Sequence, residues 1–139
     1  MPVDVRILPH EGLVYVRYSG RAGLAETKEA FAAFLSHPDF RPGLKQLLDL
    51  SAVTDFDRDQ AAFMRLQAGM TEGIMAAGDE VLLVFYAPDK VQREMAEQAH
   101  RTWAGLAHIV PVIVTDEAAA LETLGLRAAS IADLLAGAR

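Results

Sequence analysis

The chain has 139 residues, 52% of them hydrophobic and 23% charged, which is the length of one domain with a full core and excludes a disordered or fibrous chain. With 13 basic against 19 acidic residues and a net charge of −6, a nucleic-acid phosphate backbone is not the expected partner. Cysteine is absent, so disulfides, thiolate zinc sites and cysteine nucleophiles are excluded, in keeping with a reducing compartment.

Val3, Val5 and Ile7 alternate with Asp4 and Arg6, the period of a strand with one wet face. A turn at His10-Glu11-Gly12 leads to a second strand from Leu13 to Tyr18, and the short link predicts an antiparallel hairpin. Ser19-Gly20-Arg21-Ala22-Gly23 breaks the pattern. Leu24, Phe31, Phe34 and Leu35 then mark one face of a helix that ends at His37-Pro38, and the loop that follows is expected to tuck Phe40 against the core. A third strand covers Gln46 to Leu50, and Ser51 to Asp57 is expected as loop. The next helix carries the stripe Phe63, Leu66, Met70 and Ile74, with Asp57 as its N-cap and Gln60 as the reciprocal partner.

Val81 to Ala87 is apolar throughout, the mark of an interior strand covered on both faces, and far short of the ~20 residues that cross a bilayer. Val91, Met95, Ala99, Trp103 and Leu106 define a third helix. Pro111 within Ile109–Val114 points to an edge strand. Thr115-Asp116-Glu117 opens a fourth helix, Gly125 stops it, and Ser130 caps a short last one. The predicted order is β-β-α-β-α-β-α-β-α with a helical tail. That is one α/β domain spanning 1–139, its core at about 3–125 and its tail at 126–139, built on a mixed, mostly parallel five-stranded sheet flanked by helices. The opening Met-Pro-Val-Asp-Val-Arg has no basic segment before an apolar one, so a cytoplasmic protein with no membrane insertion is expected.

Catalytic motifs are missing. The sequence has no G-x-S-x-G elbow, no phosphate-binding G-x-x-x-x-G-K-[ST] and no G-x-G-x-x-G turn. His10, His37, His100 and His108 have no second histidine at helical spacing, so no metal ligand set is expected. Asp55, Asp57 and Asp59 have the D-x-D-x-D opening of a calcium loop, but Gln60 stands where that loop needs glycine and Leu66 where it needs a bidentate Glu. Asp49, at the carboxyl edge of the sheet where α/β folds place ligands, is expected to bind amides of the loop after it.

The segment Asp49-Leu50-Ser51-Ala52-Val53-Thr54-Asp55-Phe56-Asp57-Arg58, placed between a strand and a helix, resembles the STAS domain family. These are the sulfate-transporter and anti-sigma-factor-antagonist domains, including SpoIIAA-like proteins. The family pattern D-L-S-x-V-x-x-x-D is met at Asp49, Leu50, Ser51, Val53 and Asp57, and His37-Pro38-x-Phe40-x-Pro42-Gly43 with the late helix ending near Leu124-Gly125 is similar to stand-alone bacterial members. The resemblance implies a SpoIIAA-like fold and a non-catalytic interaction or regulatory module without a cofactor. Its partner, a protein or a second copy of the chain, is implied to dock through Asp49, Ser51, Thr54, Asp55, Asp57 and Arg58. A homodimer is expected to use the edge strand containing Pro111 or the wet face of the first hairpin. In phospho-switching members the residue after the second Asp is a phosphorylated Ser or Thr; here it is Arg58, a permanent cation with no hydroxyl. The alternative expectation is an apolar small-molecule or lipid pocket lined by Met64, Met70, Met95 and Trp103, with Met75 nearby.

Overall fold

In the computed structural model, which describes residues 3–41, 43–74, 80–103, 105–106 and 108–137, the opening alternation is strand β1 (Val3–Leu8). A single 3-10 turn at Pro9–Glu11, closed by Gly12 at φ 61°, returns the chain into β2 (Leu13–Ala22). The two strands pair antiparallel, Val3 opposite Tyr18 and Leu8 opposite Leu13. Helix α1 (Leu24–Ser36) stops where His37 turns extended ahead of Pro38. Phe40 then lies edge-on to Phe34, ring centroids 4.8 Å apart, as the loop was expected to place it. After β3 (Lys45–Phe56) come α2 (Gln60–Ile74), β4 (Val81–Tyr86), α3 (Lys90–Trp103), β5 (Ile109–Val114), α4 (Glu117–Leu124) and α5 (Ile131–Ala136).

The strands lie in the order β1-β2-β3-β4-β5, with β2 to β5 parallel. A right-handed crossover that always steps to the next strand in one direction keeps its helix on one side of the sheet. Accordingly α1, α2 and α3 cover one face, over Val14, Val16, Leu50, Leu83 and Phe85. The chain then leaves the edge strand β5, whose Pro111 sits where a missing N–H matters least. Its last two helices return across the opposite face, over Leu13, Tyr15, Leu47 and Val84. These are short helices with strong caps. Asp116 accepts from the Ala119 N–H at 2.7 Å, Ser130 accepts from the Asp133 N–H at 3.1 Å, and Gly125 ends α4 at φ 71°. The observed architecture is the predicted mixed α/β sheet flanked by helices. No helix among the described residues is long and apolar enough to cross a membrane.

Two strands are longer than the sequence pattern suggests. The expected break at Ser19–Ala22 is strand, accommodated by Gly20 at φ 69° and by register shifts between Arg17 and Ser19 and between Gly20 and Arg21. β3 likewise runs on to Phe56, because the extended β2 gives it a partner as far as Ala22. Bulges of this kind add twist and re-aim side chains without ending a ladder.

Leu47 has no exposed surface, at the centre of the sheet under α4. Leu47→Ala is expected to cost about 2–5 kcal/mol, read as a lower urea midpoint with an unchanged slope.

Candidate functional site

β3 outruns its neighbour. It pairs with β4 only from Gln46 to Asp49, whereas its pairing with β2 continues to Phe56. Past Asp49 one side of the strand therefore has carbonyls with no ladder partner, and buried carbonyls must be paired. Two buried glutamines of α3 supply the donors. Gln92 Nε2 donates to the carbonyls of Ser51 at 2.9 Å and Val53 at 3.1 Å, and Gln98 Nε2 donates to that of Asp57 at 2.9 Å. Gln92 is itself fixed by a reciprocal cap with Asp89, each side chain accepting from the other's backbone N–H. Neither glutamine was singled out from the sequence. The Asp89-x-x-Gln92 capping spacing was the available signal.

The expected docking loop is thus a correction: Ser51 to Phe56 is strand, Asp49 lies within β3 rather than at its end, and only residues 57–59 connect to α2. A strand also separates its residues by face, and the six predicted site residues fall into two groups. Asp49 and Ser51 belong to the α4–α5 side. Asp49 is 5% exposed; its Oδ2 accepts from the Tyr15 hydroxyl at 2.5 Å, and its Oδ1 accepts from the Ser51 N–H at 3.0 Å and Ser51 Oγ at 2.6 Å. The amide bond expected of Asp49 is therefore present, together with a tyrosine the sequence reading missed. Burial, followed by the bond to Asp49 and its charge, pushes the Tyr15 phenol well above its ordinary value, and burial does the same for Tyr18.

The second group, at the start of α2, is organised by Arg58. Its Nη1 donates to Asp55 Oδ1 at 2.8 Å and its Nη2 to Glu94 Oε2 of α3 at 3.4 Å, while the guanidinium lies 4.2 Å from the centre of the Phe56 ring. Arg21 Nε stands 3.9 Å from the other oxygen of Asp55. The bond from Arg58, helped by the Phe56 backbone, holds the Asp55 carboxyl below its ordinary value. Thr54 is exposed. The predicted cap is also corrected: Asp59, not Asp57, accepts from an N–H of the first turn of α2 (Ala62, 3.0 Å), whereas Asp57 accepts from the Asp59 N–H in a turn of its own. Gln60 accepts from Arg101 instead of closing a capping box.

Of the expected apolar pocket, Met95 and Trp103 line a cavity of about 60 Å³ between the sheet and α1–α3, together with Phe31, Phe34 and Phe63. Met64 does not join them. It is 50% exposed, one residue off the stripe and so turned roughly 100° away from it. The Met70 side chain and Met75 lie outside the described residues. The cavity also contains Gln46, whose Nε2 is the only buried side-chain polar atom without a hydrogen bond among the described residues. No group of three or more His, Asp or Glu among the described residues is placed to hold a metal ion.

No family model and no curated protein matches this chain. Among solved structures it is similar to that of the anti-sigma factor antagonist SpoIIAA in its unphosphorylated form, with 10% sequence identity, a TM-score of 0.49, and coverage of 88% of this chain and 97% of that one.

The raised phenols make the stability of the fold pH-dependent in the alkaline range. The unfolded chain releases its phenolic protons near pH ~10, before Tyr15 and Tyr18 can release theirs in the folded protein. Their contribution is therefore complete below that pH and is lost above it, and stability falls as pH rises. Tyr15→Phe is expected to flatten that fall in urea unfolding at a series of pH values. At neutral pH it is expected to cost about 1–3 kcal/mol, because a buried Asp49 oxygen loses its donor.

Proposed function

We propose that this chain is a non-catalytic interaction or regulatory module of SpoIIAA-like fold that docks a protein partner through the end of β3 and the start of α2, with no phosphoryl switch at position 58. Thr54, Asp55, Asp57 and Arg58 form the contact surface, while Asp49 and Ser51 hold its strand in place. The reading rests on the D-L-S-x-V-x-x-x-D pattern at Asp49 to Asp57. The observation that carries it is the state of Arg58. Its side chain is 53% exposed, yet it is held by Asp55, Glu94 and the Phe56 ring. An exposed guanidinium fixed in one geometry loses little conformational freedom on binding.

The test is capture of interacting proteins from the cells of origin, comparing the wild type with an Asp55→Ala/Arg58→Ala double variant of unchanged circular dichroism. A stoichiometric partner held by the wild type and lost by the variant is the expected result. Equal capture by both would sink the assignment. A second copy of the chain is the other candidate occupant, and the oligomeric state of the same two proteins reports on it.

One observation favours a second reading, an apolar ligand in the cavity lined by Met95 and Trp103, namely that Gln46, another residue of its lining, has a buried Nε2 without a hydrogen-bond partner. At about 60 Å³ the space is well below the roughly 150 Å³ that holds a benzene, so only one acceptor-bearing end of a ligand would enter. Gln46→Leu separates the cases. If the cavity is unliganded, removing an unpaired buried donor is expected to stabilise the protein by about 1–3 kcal/mol. A bound ligand would instead show as a stoichiometric mass in native spectra of gently purified wild type that the variant lacks.

A further inference from the structure

On the opposite face, α4 and α5 cover only part of the sheet and leave a groove of about 500 Å³ over β1, β2 and β3. That is within the range of roughly 300–1,000 Å³ typical of small-molecule sites. Arg6 of β1 and Arg17 of β2 line it on adjacent antiparallel strands, Arg6 opposite Tyr15 and Arg17 opposite Asp4. Arg17 is in turn opposite Asp49 of β3, and Asp49 opposite Tyr86 of β4. One row of the sheet, Asp4-Arg17-Asp49-Tyr86, thus presents four polar side chains to the same groove, beside a second pair, Arg6-Tyr15.

The unused bonding capacity of this groove is on the donor side. Asp49 already accepts three hydrogen bonds, from Tyr15 and from Ser51 twice. Glu117, the acid that α4 contributes, accepts from the Ile131 N–H at 3.0 Å. The guanidinium groups of Arg6 and Arg17 have neither an ion pair nor a hydrogen bond to any described residue, although Asp4 stands opposite Arg17 in register. Asp4, at the exposed rim, is the one acid there still without a partner. Two free guanidinium forks call for an acceptor-rich planar or tetrahedral group. Ile131 and Leu135 supply an apolar wall beside them.

We infer that this groove binds a small organic anion, its phosphate or carboxylate held between Arg6 and Arg17 and its apolar part lying against Ile131 and Leu135. The Tyr15–Asp49–Ser51 cluster forms the floor and keeps the two strands in register beneath the ligand. The site does not overlap Arg58 and Glu94, which lie on the α3 side of β3, so it is independent of the docking surface proposed above.

The experiment is a titration of the ¹⁵N-labelled full chain, following the arginine Nε–Hε resonances, with phenyl phosphate, with benzoate, and with sodium chloride at equal ionic strength. The expected result is a saturable shift of Arg6 and Arg17, beyond that caused by chloride, with at least one of the two aryl anions; which of them saturates decides between phosphate and carboxylate. Arg6→Gln and Arg17→Gln, at exposed positions, are each expected to weaken binding about tenfold or more while leaving the Arg58 resonance unmoved. Shifts that stay linear, that match the chloride series, or that persist unchanged in both variants would overturn the site.

Discussion

The feature on which the rest of this structure depends is the length mismatch between β3 and β4. A strand that continues past its neighbour carries a row of carbonyls into a partly buried region, where each must find a donor or cost stability. Here the donors come from side chains of the helix packed above, Gln92 and Gln98. Gln92 is 2% exposed and Gln98 5%, burial that is rare for glutamine unless both ends of the amide are used. For Gln92 they are, since its Oε1 caps the helix and its Nε2 bridges two strand carbonyls. The helix therefore cannot slide along the strand without breaking bonds at both of its own attachments. Residues 54–58 inherit that fixed placement.

Much of the architecture was legible because it depends on local chemistry. The alternation of Val3, Val5 and Ile7, the stop at His37-Pro38, the all-apolar Val81–Tyr86, the edge proline at 111 and the caps at Asp116, Ser130 and Gly125 each state a conformational demand within a few residues. The extent of β3 was not legible in that way. The run from Ser51 to Asp57, in which Asp55 is disfavoured in strands, reads as loop; Ser51 to Phe56 are strand because a distant segment, Ser19–Ala22, is available to pair with them. That segment in turn reads as a break, since Gly20 and a polar composition hide a strand whose ladder to β3 shifts register twice. Tertiary pairing overrides propensity where the partner is far away in sequence.

The candidate site was legible to the same degree. The residues Asp49 to Arg58 were found as a group, but a loop would have placed them on one surface and a strand divides them between two. Tyr15, Gln92 and Glu94 reach the site through contacts 34 to 41 positions away in the chain, and of the three only Gln92 has a local signal, its cap with Asp89. The apolar pocket was half legible: Met95 and Trp103 follow the helical stripe and reach the cavity, whereas Met64 departs from it and reaches solvent. Composition pointed to methionine, and geometry admits it only where the 3.6-residue period brings it inward.

Ser51 shows how the two faces of β3 are joined. Its side-chain hydroxyl and its N–H both donate to Asp49 on the groove side, and its carbonyl accepts from Gln92 on the helix side. Asp49 is in turn tied to β2 through Tyr15. The chain of bonds Tyr15–Asp49–Ser51–Gln92–Asp89 thus runs from the second strand, through the third, to the N-terminus of α3. Every link has a buried or half-buried member, so each is stronger than it would be in water and costly to leave unpaired. An arrangement of this kind resists register slip in the one stretch of the sheet where β4 no longer helps, just after the register shift opposite Arg17 and Ser19 has weakened the ladder on the other side. The polar groups at the heart of the candidate site are therefore first of all what keeps an over-long, poorly propensed strand in place, and the exposed residues beyond them owe their fixed positions to that network.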